Sequence, residues 1–512
     1  RAYYLAIRGG PMLQGLHGLT VDPASPVPVY RQIADGIRRG LAEGRFRPGL
    51  RLPATRDLAR DLDVNRNTVV AAYDALAREG LVSSHTGRGT FLAEAKAPEV
   101  GTDPFSHAFA RAVEGSKVAS LLSVYRTAIS KDGISFAGSF PAADLMPVEP
   151  FRRAMAAVLR ERGEELLSYG PTAGHFPLRE VIAEGMRRRG SRVDAESVLV
   201  TNGSQQALEL VFRTFVDPGD AVLVEDLTYT GALSVLASLD ARAVGVPGDE
   251  EGIRPDLLGR ALERHRPRLL YVQPTFHNPT ARVMGEERRR EVLALAARHG
   301  CIVVEDDWGG DLRLDGQDLP TLHALDASGR VVYLSTFSKK LLPGLRLGWV
   351  AAAPPVLERL VALKQVADCG TSPLLQAALH RFLHEGGLED HLRRVKRAYR
   401  ERRDAMLAAL ERHLGRHATW TRPEGGLFVW TRLLHGLDAS ALFAEAAERG
   451  VLFSRGELFH AEGLARDCLR LTYAGVTPEQ IDQGMEILGQ LVRAREGKPD
   501  TLPLEADAVP IL

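Results

Sequence analysis

The chain has 512 residues, with 65 Lys+Arg against 65 Asp+Glu and a formal net charge of zero. A single hydrophobic core stops growing near ~250–300 residues, so at least two domains are expected. A composition of 45% apolar and 25% charged residues excludes a largely disordered chain, and three widely spaced cysteines, Cys301, Cys369 and Cys468, exclude a disulfide framework or a CxxC zinc site. No apolar run reaches the length of about 18 residues that a membrane-spanning helix needs. The chain start, with Arg1 and Arg8, lacks a signal-peptide pattern, so a reducing cytoplasm is the expected compartment.

Residues 1–26 are Gly-rich at first, lack a clear period, and are read as an N-terminal extension. From Val27 a helical pattern begins. Val29, Ile33, Ile37 and Leu41 repeat every fourth residue and place one apolar stripe on one face, which ends at Gly44. After a turn at Pro48-Gly49, the pattern predicts a helix over 55–62, capped by Thr55, with Leu58 and Leu62 inward. Asn65 is suited to cap a third helix over 66–79, which stops at Gly80. "LVSSHTGRGTFLA" then reads as a hairpin turning at Gly87 and Gly89. Residues 27–92 hold eleven Arg and no Lys against seven acids, a net +4, and leave −4 for the rest of the chain. A locally basic module beside a mildly acidic body is the charge pattern of a tethered DNA reader.

Two helices joined by "DLDV" fit a helix-turn-helix, whose second helix enters the major groove by its N-terminal residues, here Asn65, Arg66, Asn67 and Thr68. Arg pairs bidentately with guanine and Asn with adenine. Arg56 opens the preceding helix and suits a phosphate, while Arg88, between Gly87 and Gly89, suits a backbone or minor-groove contact. Taken singly, "NRNT" is a polar cap and "GRG" a turn. Together, "PGLRLP", "RDLA", "NRNTV", "EGL" and "GRGTF" resemble the winged helix-turn-helix of GntR-family transcription regulators along its whole length. The resemblance implies a DNA-binding homodimer reading paired half-sites, with Arg56, Asn65, Arg66, Asn67, Thr68, Gly87 and Arg88 near DNA.

Residues 93–115 carry Pro98, Gly101 and Pro104 and read as a linker. From 116 to 490, short β-branched runs alternate with helical stretches. Strands are expected at Val198–Thr201, Ala221–Glu225, Leu269–Gln273, Cys301–Glu305, Val331–Thr336 and Trp349–Ala352. Such alternation argues for an α/β fold with a mostly parallel sheet. After an Arg-rich helical region, "GGLFVWTRL" and "CLRLTYAGV" read as strands of a smaller α+β lobe, and residues 491–512 as a tail.

"LSTFSKKLLPGLRLGW" places Lys339 just past a strand end, where a desolvated Lys can form a Schiff base with an aldehyde cofactor. Thr336 and Ser338 beside it, with Arg346 seven residues on, suit a phosphate. "VTNGSQQAL" runs a strand into a helix through Gly203, Ser204 and Gln205, whose free N–H groups favour an anion. Tyr229 follows the next strand and offers a ring face. Asn278 lies in a Pro-bounded loop and offers an amide to a phenolic oxygen. "VVEDDWGG" ends a strand in two acids, either of which can keep a pyridine nitrogen protonated, with the choice between Asp306 and Asp307 set by strand register. Each fragment alone has a common structural reading. Their shared placement at carboxyl ends of strands is the signature of an open-sheet ligand site.

"ISFAGSFPAADLMPVEPFRRA", "LSYGPTAGHFPLRE", "TNGSQQAL", "PTFHNPT", "STFSKKLLPGLRLGW", "PEGGLFVW" and "LRLTYA" resemble fold type I aminotransferases, nearest the 2-aminoadipate and kynurenine branch. The resemblance implies pyridoxal 5'-phosphate (PLP) as cofactor, an internal aldimine on Lys339, and Asp306 on the pyridine nitrogen. It implies Asn278 on the ring hydroxyl and Tyr229 against the ring. Ser204, Gln205, Thr336, Ser338 and Arg346 would hold the phosphate, Arg470 the α-carboxylate of an amino acid, and Tyr169 the partner subunit's phosphate. Trp308 stands beside the acid where relatives usually have Tyr, and an indole donates no O–H to the ring oxygen. The whole chain resembles the MocR-type subfamily, which joins the two modules. That resemblance implies a domain-swapped, head-to-tail homodimer that binds double-stranded DNA and senses PLP, an amino acid or both. A working aminotransferase with an appended reader is the alternative. No metal is expected.

Overall fold

The four-residue repeat of the N-terminal module folds as the helix Val29–Ala42, whose Ile33 and Ile37 are fully buried. This computed structural model describes residues 21, 28–42, 46, 50–78, 81–85, 89–92 and 133–495. The chain divides into two units, Arg1–Phe109 and Ala110–Leu512. In the first unit, helices Thr55–Asp61 and Arg66–Arg78 follow, with Leu58, Val69, Ala72 and Leu76 completing the core. Thr55 is not the cap that the sequence suggests. It is the first helical residue, Ala54 holds the cap position without a side-chain bond, and Thr55 Oγ1 accepts from Arg66 Nε at 3.4 Å. Asn65 does cap the next helix, its Oδ1 accepting the Asn67 N–H at 2.9 Å. Strands Val82–His85 and Gly89–Leu92 pair antiparallel as the expected wing, and Leu50 and Leu52 bond to the second of them. The expected linker (93–115) and the turn residues Gly87 and Arg88 lie outside the described residues.

The second unit is built on a seven-stranded sheet. Its order is Val198–Thr201, Gly348–Ala351, Val331–Thr336, Ile302–Asp306, Leu269–Val272, Ala221–Glu225 and Arg242–Val246. Gly348–Ala351 runs antiparallel to both neighbours, and all other pairs are parallel. Helices cover both faces, which is why the central strands are apolar at nearly every position. On one face Ala207, Leu208 and Phe212 of helix Gly203–Phe215 pack on Tyr271, Val304 and Leu334. On the other, Leu258, Leu262 and Val292 pack on Leu270, Val303 and Val331.

A smaller antiparallel sheet orders Ala418–Trp420, Phe428–Leu433, Cys468–Thr472 and Ser454–Arg455. Helices Gly387–His413 and Pro478–Arg495 cover it. That last helix runs five residues past the expected domain end at 490, because Leu491 and Val492 are buried against the small-lobe core. Leu269–Val272 ends one residue before the expected Gln273, Ile302–Asp306 and Gly348–Ala351 are each displaced by one residue at both ends from the expected Cys301–Glu305 and Trp349–Ala352, and Arg242–Val246 is not foreseen in the sequence. It is a sheet-edge strand with Arg242 exposed and Gly245 inside, which weakens its sequence signal. Among the described residues no helix is long and apolar enough to cross a membrane, and no cluster of three His, Cys, Asp or Glu side chains is placed to hold a metal.

Leu76→Ala empties a fully buried position in the N-terminal unit. Its expected cost is about 2–5 kcal/mol. Amide hydrogen exchange checks it: protection falls in residues 50–92 while strands 302–306 and 331–336 keep theirs.

Candidate functional site

The expected ligand-binding end of the large sheet gathers its polar groups from several strands. Residue alternation along Ile302–Asp306 settles which acid faces the helix Gly203–Phe215. Asp306 shares a face with Val304 and Tyr271, and its Oδ2 accepts Tyr271 O–H at 2.6 Å and Gln273 Nε2 at 3.0 Å. Asp307 turns the other way, to Arg189 Nη1 at 2.5 Å and Tyr333 O–H at 2.7 Å. Burial pushes the Asp306 carboxyl up to about 6 against the hydrogen bonds from Tyr271 and Gln273, and its Oδ1 is buried with no partner. Tyr271 and Gln273 did not stand out in sequence. The signal was their spacing of two on one strand face, which aims both at the same acid.

Gln273 also reaches forward. Its Oε1 accepts the Asn278 N–H at 3.1 Å, and Asn278 Oδ1 accepts Arg470 Nη1 at 2.8 Å. Arg470 lies on strand Cys468–Thr472 of the small lobe, so this contact ties the two lobes together. Its Nη2 donates to Ala137 O at 2.9 Å, and its guanidinium sits 4.9 Å from the Phe428 ring centroid and 4.7 Å from that of Phe459. Arg470 is buried, its Nε has no partner, and no carboxylate of the described residues pairs with it. Desolvation pulls its guanidinium from 12.5 down to about 9.

Lys339 follows strand Val331–Thr336 and donates through Nζ to Ser139 O at 2.8 Å. Desolvation, then Arg470 and Arg346, pull its ammonium from 10.5 down to about 8. Lys340 points elsewhere, into an ion pair with Asp311 beside Trp349. The side chains of Lys339, Arg470 and Arg346 thus raise the positive potential of one cleft without an ion-pairing acid.

A cup forms where helix Gly203–Phe215 begins. Gly203 has φ +80°, and a Cβ there would lie 2.7 Å from Arg346 Nη2. A Cβ at Gly348 would lie 2.8 Å from Gly203 C and 2.9 Å from Ser204 N, so glycine is what lets the neighbouring strand approach the turn. Thr336 Oγ1 accepts the Ser338 N–H at 3.0 Å, and Arg346 Nη1 donates to Ser338 Oγ at 3.4 Å. Ser204 and Gln205 lie in the helix's first turn, and Gln205 Nε2 is engaged with Gly231 O at 3.1 Å. Tyr229 O–H donates to Gln205 Oε1 at 3.3 Å, and its ring packs over Gly231.

Two expected residues stand apart. Tyr169 is 93% exposed and does not join the cluster within one protomer. The Trp308 indole stacks on Phe428 at 5.6 Å, one ring away from Arg470, with its Nε1 buried and unpartnered. In the N-terminal unit Arg56, Asn65, Arg66 and Asn67 are exposed and Thr68 is half-buried, all near the starts of helices Thr55–Asp61 and Arg66–Arg78.

Residues 141–488 match the family "Aminotransferase class I and II", and residues 29–92 match "Bacterial regulatory proteins, gntR family". The "Probable rhizopine catabolism regulatory protein MocR" of Rhizobium meliloti is 34% identical over 502 residues, 96% of this chain and 99% of that protein. This chain is a MocR-type member of the aminotransferase class I and II family, carrying a GntR reader. The 2-aminoadipate transaminase of Thermus thermophilus is 42% identical over 70% of this MocR-type chain and 90% of that enzyme. The solved structure of the α-aminoadipate aminotransferase LysN from Thermus thermophilus, complexed with N-(5'-phosphopyridoxyl)-L-leucine, superposes with a TM-score of 0.70. It is 40% identical and covers 76% of this chain and 98% of that one.

Membership of this family indicates pyridoxal 5'-phosphate as the cofactor of the MocR-type chain. The site fits it. The unpartnered Asp306 Oδ1 suits a protonated ring nitrogen, the Gly203–Gly348 cup with Arg346 suits a phosphate, and Lys339 supplies an amine of lowered pKa.

The Lys339 shift has a consequence for the cofactor-free protein. The folded value of about 8 lies below the ordinary 10.5, so between these values the unfolded chain binds more protons. This lysine therefore contributes a stability that is absent below pH 8 and rises up to pH 10.5. Urea unfolding across that range should show a rise relative to Lys339→Met, which removes the titrating amine; parallel curves for the two proteins would contradict the assignment.

Proposed function

We propose that the protein is a DNA-binding transcription regulator whose aminotransferase-like domain senses PLP, alone or with an amino acid, through Lys339. The observation that carries this reading is the buried, acid-free Arg470 facing the same cleft as Lys339. A guanidinium buried without an acid is costly unless an anion joins it, and a bidentate carboxylate matches its geometry. The effector is therefore an amino acid held by its α-carboxylate. When bound, PLP supplies an electron sink for chemistry at the amino acid's α-carbon. Lys339 Nζ holds or releases a proton near pH 8. Asp306 Oδ1 accepts from a protonated ring nitrogen, and Asn278 offers its amide to the ring oxygen. Tyr229 packs against the ring, and Ser204, Gln205, Thr336, Ser338 and Arg346 hold the phosphate.

Arg470 and Asn278 stand on different lobes, so an effector carboxylate that draws Arg470 away from Asn278 repositions the small lobe. A ligand switches a protein only through differential affinity for its two states. The lobe contact is the element that this ligand biases. The regulator acts as a homodimer, head-to-tail, with the exposed Tyr169 reaching the partner's cofactor phosphate. Arg56, Asn65, Arg66, Asn67 and Thr68, together with Gly87 and Arg88, contact operator half-sites.

A second reading, a working aminotransferase with an appended reader, is favoured by the retention of Lys339, Asp306, Asn278 and Arg470 and by the 42% identity to a 2-aminoadipate transaminase. Trp308 opposes it, since an indole gives the ring oxygen no hydroxyl proton.

PLP added to the purified protein should produce a visible absorbance band. Borohydride reduction and peptide mass spectrometry should then place the pyridoxyl label on Lys339, and a label elsewhere would contradict the site. DNA affinity should change when PLP and amino acids are added, and turnover with 2-oxoglutarate should be slight; rapid turnover with DNA affinity untouched would favour the enzyme. Arg66→Ala should lose about 1–3 kcal/mol of sequence discrimination in DNA binding and keep the absorbance band, whereas Lys339→Ala should lose the band and bind DNA without a PLP response.

A further inference from the structure

The turn that begins helix Gly203–Phe215 is held from behind by a network that the cofactor chemistry does not use. Asp368, the last residue of helix Pro354–Asp368, accepts at Oδ2 from three donors: Lys364 Nζ, Asn202 Nδ2 and Gln206 Nε2, each at 2.6 Å. Its Oδ1 accepts the Gly370 N–H at 2.9 Å. The Lys364 side chain is completely buried and also donates to Gln206 Oε1 at 3.2 Å. That same Gln206 oxygen accepts the Asn202 N–H at 2.8 Å. One carboxylate therefore fixes both ends of the five-residue turn from Asn202 to Gln206.

The decisive member is Asn202. It occupies the cap position of the helix and makes no side-chain cap bond. An Asn at this position ordinarily accepts a first-turn N–H with its own oxygen. Here its amide is drawn backwards to Asp368, and the first-turn N–H groups of Gly203, Ser204 and Gln205 are left for an anion. Freed from Asp368, the Asn202 side chain would rotate to cap the helix and compete with that anion. The charge of Asp368 does not work against the cup, because Lys364 pairs with it at 2.6 Å.

We infer that Asp368 is a positioning residue for the cofactor phosphate: it keeps Asn202 from capping the helix and so keeps the anion cup open. The inference rests on the reading of this turn as the seat of the PLP phosphate. It makes Asn202, Gln206 and Lys364 parts of one device whose output is selectivity for a phosphorylated ligand. None of the network's hydrogen bonds involves Lys339.

The test compares PLP with pyridoxal, which has the same ring and aldehyde and no phosphate. Affinities of the full-length protein for both are read from visible absorbance titrations. The wild type should prefer PLP strongly. Asp368→Asn should lower PLP affinity about tenfold or more, the scale of losing hydrogen bonds to a charged group, and leave pyridoxal affinity unchanged. Because that change leaves Lys364 buried without its partner, the double variant Lys364→Met with Asp368→Leu is measured beside it. This pair removes both charges at similar volume. It should lose the preference for PLP in the same way while keeping its thermal transition. PLP and pyridoxal affinities falling together would show a general loss of structure and overturn the inference, as would a retained preference in both variants. A wild type that binds PLP and pyridoxal equally would instead overturn the reading of the cup itself.

Discussion

The second unit is organised around cations buried without acids. Arg470 lies between two phenylalanine rings with no ion-pair partner among the described residues, and Lys339 is pulled down to about 8 by the same desolvation and by Arg470 itself. Two neighbouring positive groups in a desolvated cleft are mutually unfavourable. The fold tolerates them because backbone carbonyls of Ala137 and Ser139 and the Asn278 amide oxygen solvate them in place of water. Under the proposed function an amino acid's carboxylate supplies the counter-charge for these cations.

Placement of these groups follows from sheet geometry. Each contributing loop leaves the carboxyl end of a strand, so short connections suffice to bring Tyr229, Asn278, Asp306 and Lys339 together. The antiparallel strand Gly348–Ala351 breaks the pattern beside the phosphate turn. Its first residue is a glycine whose missing Cβ is the space needed by Gly203 and Ser204. The network around Asp368 then stiffens the same turn from the opposite side. Backbone approach in front and a carboxylate behind hold the helix start from both sides, and no side chain caps it.

The joining of a GntR reader to this aminotransferase unit gives the desolvated cleft a regulatory reading. The Arg470–Asn278 hydrogen bond joins the two lobes and is the contact that the proposed carboxylate effector would bias, while the reader presents exposed Arg56, Arg66 and Asn67 at the start of adjoining helices. Trp308 fills an apolar position, its indole stacked on Phe428, and under the proposed function it is the residue that weighs against efficient turnover.

Much of this was legible in the residues alone. The four-residue repeat of the reader and the alternation of short apolar strands with helices follow from local periodicity, the groups around Lys339 and Asn278 from their chemistry at strand ends, and Arg470 from the resemblance to fold type I aminotransferases. Strand bounds drifted by a residue where buried positions continue past the last ladder bond, as at the apolar Ala352 and at Gln273, which leaves the sheet to bond Asp306. Only tertiary structure decided between Asp306 and Asp307, because the two differ solely in which face of the sheet they meet, and that depends on the register of Ile302–Asp306 against Leu269–Val272. Only tertiary structure placed Tyr271 on the acid, Ser139 on the lysine, and Asp368 behind Asn202, 166 residues away in the chain. Sequence specifies which groups can ionise and donate; the fold decides which of them lose their water together, and desolvation is what turned ordinary side chains into a site.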